Sequence, residues 1–399
     1  MKFSRDEKLL LIILCVYTLA ASMVTTFANV YLLTYAKSLV VLSIYSCIRY
    51  GMIGVFALFS AKLSTKIRMS YSLTIGLVLI TSAVLFLLSV KERIGTELYL
   101  IYIIGFVWGG GEGFFWVTVN SLQQMITRIE SRGLYLGISG VLSNAATIIA
   151  PLLSAFILSL GKEEIQGYYM LFQLAIAIFV CIAILSFFLK AAGVGRKFKM
   201  MDSFTSIKQD LHWRYVMTAQ FFWGFREAAT LSLTGLLIYS AIGNGTEYGR
   251  WLSMFAVLAT ISNYFCGRVV KKKNRIRLLT IGSLGIFMSG MALLLGNRTG
   301  AAIHGVMHYA FLAWAATPFS VISMNVVSEY ALKENLVGRT LAREIVIAAG
   351  RMVGLSIIIV ITSLIPSNTG LNIGMVVLYC GCLVFVAVNR HYHRVSNIQ

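Results

Sequence analysis

Acidic residues are scarce in this 399-residue chain: 15 Asp and Glu stand against 34 Lys and Arg, and charged residues of all kinds make up only 12%. Missing too is a Gly-x-x-x-x-Gly-Lys-Ser/Thr phosphate loop, so nothing in the chain suggests ATP as a driver. No basic stretch is long enough to form a domain outside an apolar phase, which argues against a nucleic-acid role for the net charge of +19. The six cysteines (Cys15, Cys47, Cys181, Cys266, Cys380 and Cys382) all fall in or beside apolar runs. None is placed where an oxidising exterior would pair it, and Cys380-Gly381-Cys382 reads as small-residue packing.

What fills the chain is apolar length: 58% of residues are hydrophobic and the mean hydropathy is +0.81. An apolar run of about 20 residues crosses a hydrocarbon core of about 30 Å as a helix. Such runs predict twelve spans, at 9–33, 38–63, 70–90, 98–126, 134–160, 168–190, 214–242, 248–268, 278–296, 300–330, 341–365 and 371–389. The fold class is therefore an all-α integral membrane protein. An even number of spans puts both termini on one side, and 24 of the 34 Lys and Arg sort to that side against 6 on the other. Positive charge accumulates in cytoplasmic loops, so both termini are expected in the cytoplasm. Clusters such as Lys271-Lys272-Lys273 with Arg275 and Arg277 are then topology signals that touch anionic lipid. The first span is too long for a signal-peptide core and lacks a cleavage site after it, so it is expected to stay as a helix.

The longest polar interruption, 191–213, separates an expected N-terminal bundle, 1–190, from a C-terminal bundle, 214–399, as a central cytoplasmic loop. Short features recur between the halves. Asn120 and Gly133 are spaced like Asn325 and Gly338, and Thr74-Ile75-Gly76 opens span three as Thr280-Ile281-Gly282 opens span nine. Such duplication is common in transporter folds.

The six-plus-six layout, the cytoplasmic termini, the central loop and the basic loops after spans two and eight resemble the major facilitator superfamily along essentially the whole chain. That family's loop between spans two and three carries Gly-x-Leu-x-Asp-Arg-x-Gly-Arg-Lys. Here the stretch reads Ala61-Lys62-Leu63-Ser64-Thr65-Lys66-Ile67-Arg68, without the acidic residue, and Gly267-Arg268-Val269-Val270-Lys271 after span eight also lacks one. The resemblance implies a cytoplasmic gate near Lys62, Lys66, Arg68 and Arg268, with Arg343 and Glu344 at the mouth of span eleven. A second resemblance, to the span-five pattern of antiporter members, rests on Gly137, Ala146, Ala150-Pro151 and Ser154-Ala155. Small residues there replace most of the family's glycines. Close approach plus a bend at Gly137 and Pro151 is its physical content.

Seven ionisable side chains lie away from span ends, inside long apolar runs: Arg49, Glu112, Arg226, Glu227, His304, His308 and Arg351. Charge at bilayer depth costs roughly 2.5–3.5 kcal/mol on insertion scales, so such residues face protein interior or water. In the fold that the resemblance implies, spans 1, 4, 7 and 10 line a central cavity and 3, 6, 9 and 12 form the outer support; none of the seven falls in the outer set. Helical spacing adds polar stripes: Thr18, Ser22, Thr25 and Asn29 in span one; Trp108, Glu112, Trp116 and Asn120 in span four; Gln220, Trp223, Glu227, Thr230 and Thr234 in span seven. Aromatic walls around a few polar groups describe a small-molecule site.

Arg226 and Glu227 are about 100° apart around the helix and are not expected to pair with each other. Arg226 or Arg49 is expected to be neutralised by Glu112, and Arg351 either to bind an anionic group on a solute or to satisfy backbone carbonyls. Glu112 and Glu227 are the expected proton carriers, the alternative being permanent ion pairs that hold helices together. His304 and His308 share a face at a spacing that suits pore-lining or surface histidines better than a metal, since no third ligand is near in sequence. The resulting expectation is a monomeric secondary transporter of a bacterial plasma membrane. It moves a small organic solute by alternating access, proton-coupled, with efflux favoured and no cofactor. Uptake of an anionic or zwitterionic solute, a lipid-moving or sensing relative, and an intramembrane enzyme seeded by the histidines are the alternatives.

Overall fold

The computed structural model describes residues 3–127, 129–190, 200–271, 273–330, 336–365 and 368–396, and among them no strand occurs. Helix α1 (Arg5–Ala36) is followed by α2 (Leu39–Leu63), α3 (Met69–Val90), α4 (Tyr99–Ile126), α5 (Ile129–Leu160) and α6 (Glu164–Phe187). After these come α7 (Met200–Gln209), α8 (Leu211–Ala228), α9 (Gly235–Ile242), α10 (Gly245–Val269), α11 (Arg275–Ala292), α12 (Arg298–Tyr330), α13 (Leu336–Leu364) and α14 (Asn368–Ser396). Eleven of them are long and apolar enough to cross a membrane.

The remaining expected span is α8, a π-helical turn at Ala229–Thr234, and α9, which follow one another without a break. Polar residues from Gln220 to Thr234 dilute its apolar character and the π turn divides it, so neither piece alone is a long apolar helix. A π turn leaves i→i+5 bonding in place of i→i+4 and widens the helix locally, a feature found most often at functional sites.

Helix starts are marked where the sequence supplies caps. Ser4 and Glu7 form a reciprocal capping box at the start of α1, and Ser38 accepts the Val41 N–H at the start of α2. Between these two helices Lys37 takes the left-handed conformation, φ 48°, which ends α1 sharply enough for α2 to begin two residues later. The expected central loop holds one more helix than its polarity suggested. Asp210 caps α8 by accepting the Trp213 N–H, and Phe204 and Ile207 of α7 pack on a core of Trp213, Val216, Met217, Val326 and Ala342. Residues 191–199 of that loop lie outside the described residues.

The chain divides into two compact units, residues 1–197 with 244–253, and residues 198–243 with 254–399. In the first, α1 packs on α5 and α6, α2 on α4, and α3 on α4 and α6. Lipid-like surroundings supply no hydrophobic force between helices, so small residues and hydroxyls do the joining. Ser60, Ser72 and Thr118 bind one another at 2.9–3.2 Å across α2, α3 and α4, and Thr74 meets Ser186 at 2.6 Å between α3 and α6. In the second unit α8 packs on α13 and α14, and α11 on α12 and α14. The two Thr-Ile-Gly triplets do equivalent work: Gly76 sits against the α4 backbone at Gly111 and Phe115, Gly282 against the α12 backbone at Trp314 and Ala315.

Candidate functional site

In the first unit the intramembrane charges meet as one pair. Arg49 on α2 donates Nε and one terminal nitrogen to the two oxygens of Glu112 on α4, at 2.9 and 2.6 Å, and both side chains are nearly enclosed, at 4% and 10% exposure. The approach is made possible by Gly109, where a methyl group would overlap the Arg49 carbonyl oxygen. One helical turn before Glu112, Trp108 lays its ring 4.4 Å from the Arg49 guanidinium carbon. Carboxylate fork and aromatic face together satisfy a planar cation that the bilayer would otherwise reject. Of the two partners expected for Glu112, Arg49 is the one present.

The second unit repeats the theme on different helices. Arg351 on α13 donates Nε and a terminal nitrogen to one oxygen of Glu227 on α8, at 2.9 and 2.5 Å. These side chains keep 20% and 22% exposure, so the pair is reached more readily than its counterpart. Close approach of α8 and α13 again rests on glycine, with Gly350 against the Phe221 carbonyl. Arg351 is thus held by a carboxylate of the protein itself.

Arg226, the neighbour of Glu227, points elsewhere, as the helical angle between them predicts. It is 2% exposed, its guanidinium carbon lies 4.3 Å from the Trp223 ring centre, and it reaches Thr230 in a long 3.5 Å hydrogen bond. Among the described residues no carboxylate forms an ion pair with it, and Glu227, held by Arg351, acts on it through charge alone. Nearby, Thr234 and the Tyr379 hydroxyl are 3.3 Å apart, and the His304 ring lies edge-on to Tyr379 at 6.2 Å.

His304 and His308 are at 1% and 2% exposure, so neither lies at the surface. Their rings stack at 5.2 Å. His304 Nδ1 is 2.9 Å from the Ser289 carbonyl, which must accept, so Nδ1 carries the proton. His304 Nε2 and His308 Nδ1 are buried without a hydrogen-bond partner. No group of three or more His, Cys, Asp or Glu is placed to hold a metal among the described residues.

The other residues singled out by the sequence are distributed as follows. Gln220 donates to Ser323 at 3.4 Å, and Trp223 stacks on Phe319 and leans on Phe385. Trp116 is 37% exposed and edge-on to Tyr17; Asn29, Asn120 and Thr230 are half-buried. Pro151 lies inside an unbroken α5. The surroundings of Gly133, Gly137 and Asn325 are outside the described residues. Lys62, Lys66, Arg68 and Arg268 are exposed, Arg268 resting on Tyr264. Arg343 and Glu344 bind each other at 3.2 Å.

Sequence reasoning missed Tyr379, because α14 was assigned to outer support and a single tyrosine in an apolar run carries no flag. It also missed the π turn, which moves Thr230 and Thr234 off the regular stripe.

A model of the Major Facilitator Superfamily matches residues 9–360. The chain is 27% identical over 369 residues to the uncharacterized protein YqgE of Bacillus subtilis, covering 92% of this chain and 84% of that one. It also resembles solved structures: a D-xylose-proton symporter at 13% identity and TM-score 0.69, covering 96% and 95% of the two chains, and a bacterial homologue of the iron transporter ferroportin at 14% and 0.66, covering 98% and 100%. At such identities those structures share the fold alone. With nearly its whole length matched by the family model, the chain belongs to the Major Facilitator Superfamily, as a multi-pass membrane transporter and not an enzyme.

Proposed function

We propose that this protein is a proton-coupled secondary transporter that moves a small organic solute across a bacterial plasma membrane by alternating access. The observation that carries the reading is the pair of carboxylates within membrane-spanning helices, each engaged by an arginine. A carboxylate held this way changes partner when it takes a proton: the arginine is released and the helices it ties become free to shift. Glu227 and Glu112 are the candidates, and Glu227 is the more accessible, bound to Arg351 through a single oxygen and two residues before a π turn.

Export in exchange for protons is supported by the small residues and Pro151 of α5, which match the antiporter pattern more fully than the gate loops match theirs. Symport into the cell is the second reading, supported by the net positive charge of the Arg226, Glu227 and Arg351 group, which favours an anionic or zwitterionic solute.

The test is flux into proteoliposomes under an imposed pH gradient across a solute panel, for the wild type, Glu112→Gln and Glu227→Gln. Gradient-driven accumulation is expected in the wild type and lost in Glu227→Gln. Accumulation that survives in both single variants and in the double variant refutes coupling through these carboxylates, and the sign of the gradient that drives flux separates export from import.

A further inference from the structure

The second unit places two arginines beside one carboxylate. Arg351 takes Glu227, and Arg226, buried to 2% exposure, is left with an indole face and one long bond to Thr230. A guanidinium offers five donors and stays charged at any accessible pH. Burying it with only a share in the charge of Glu227 is costly in water-excluded surroundings, and two cations against one anion leave the group at +1. In the first unit, by contrast, Arg49 and Glu112 cancel.

What surrounds Arg226 is polar and incompletely satisfied. His308 lies close enough to interact electrostatically with it. His304 Nε2 and His308 Nδ1 are buried with no partner, and Tyr379 reaches the hydroxyls of Thr234 and Thr230. Because His304 donates its Nδ1 proton to Ser289, its neutral ring offers Nε2 as an acceptor. A cation whose neighbouring carboxylate is already engaged by Arg351, in one cluster with His308 and with the stacked His304 whose Nε2 lacks a donor, describes the complement of a particular kind of molecule.

We propose that Arg226 binds the carboxylate of a small organic acid that carries its own hydrogen-bond donor, a hydroxy acid or an amino acid, with Trp223 backing the guanidinium and His304 facing the donor. This deepens the transporter reading, on which it rests only for what happens to the ligand after binding. Glu227 then acts against the ligand, its negative charge partly cancelling the field of the two arginines.

The experiment measures thermal protection of the purified full chain in detergent, without any gradient. The probes are lactate, 2-hydroxyisovalerate, alanine, leucine and phenylalanine, each against its carboxamide and against sodium chloride at equal ionic strength. Bound ligand raises the unfolding temperature in proportion to its occupancy. At least one acid is expected to protect while its amide and chloride do not. Arg226→Gln is expected to weaken that binding by about 10- to 100-fold, as loss of charge-assisted hydrogen bonds does. Glu227→Gln, which removes the opposing charge, is expected to strengthen it by roughly tenfold.

That opposite pair of effects is a signature that a merely structural role for Arg226 does not produce. Arg226→Lys serves as the second variant, keeping charge without the fork, should Arg226→Gln fail to fold. Protection by no acid, equal protection by chloride or by the amide, or undiminished binding in Arg226→Gln and Arg226→Lys overturns the proposal. If binding fails in this assay while pH-driven flux of a neutral solute persists, the transporter reading stands and this inference falls; carboxylate binding without coupled flux is the reverse case.

Discussion

Replacing Glu112 by Gln separates a structural ion pair from a functional one. The side chains of Arg49 and Glu112 are 4% and 10% exposed and share two hydrogen bonds. Neutralising Glu112 strands a buried cation, and breaking a buried pair in this way costs about 3–5 kcal/mol. For a folding unit of about 200 residues each kcal/mol corresponds to roughly 2–4 °C, so a fall in Tm of roughly 6–20 °C is expected. Glu227 and Arg351 are more exposed, at 22% and 20%, and water screens the cation left behind. The same change at Glu227 is expected to cost about 1–2 kcal/mol, between values for exposed and buried pairs. Thermal unfolding followed by tryptophan fluorescence in detergent measures both. The double variant Arg49→Met with Glu112→Leu removes both charges and is expected to recover most of the loss, because an apolar pair of similar volume avoids the desolvation cost. A larger loss at Glu227 than at Glu112, or a double variant as unstable as the sum of its singles, refutes the reading of Arg49 and Glu112 as the pair that contributes more to stability.

Gly350→Val puts a side chain into the Phe221 carbonyl and forces α8 away from α13; overpacking of this kind is expected to cost about 1–3 kcal/mol, and because it separates Glu227 from Arg351, to reduce flux more than Gly109→Ala at equal residual stability. Thr118→Val removes one hydroxyl of the Ser60, Ser72 and Thr118 cluster, and a loss of roughly 0.6–1.7 kcal/mol is expected, as for other hydroxyl contacts between membrane helices. Unfolding midpoints check both, with transport assayed in parallel. Arg351→Lys keeps a charge opposite Glu227 but not the fork, and is expected to preserve the fold while slowing coupled flux; unchanged flux would show that the pair is not part of the cycle.

Helix existence and order were legible because apolar length and the placement of basic residues are summed over many positions. Eleven of the twelve expected spans appear as long apolar helices, most of their limits within four residues of those expected and the rest within seven. Span seven is the exception in kind: its polar stripe marked it out, while the π turn, which meets α14 through Thr234 and Tyr379, is not written in local composition. Pairing was half legible. Helical angle correctly kept Arg226 from Glu227, but the choice of Arg49 for Glu112 and of Arg351 for Glu227 depends on which helices touch, and that is decided by Gly109 and Gly350, whose role emerges only with the neighbouring carbonyls in place. A surface position for the histidines stays open in the sequence because their spacing shows a shared face and not what covers it; here α11 and α14 do, through Ser289 and Tyr379.

The most direct test of the central claim is proton movement itself. Proteoliposomes loaded with a pH-sensitive dye, with no gradient imposed, are challenged with solutes from the panel. The account predicts that a transported solute shifts lumenal pH in the wild type, and that Glu227→Gln abolishes this shift while solute exchange across the membrane continues. Solute flux in the wild type with no accompanying pH change, or an undiminished pH change in Glu227→Gln, contradicts it.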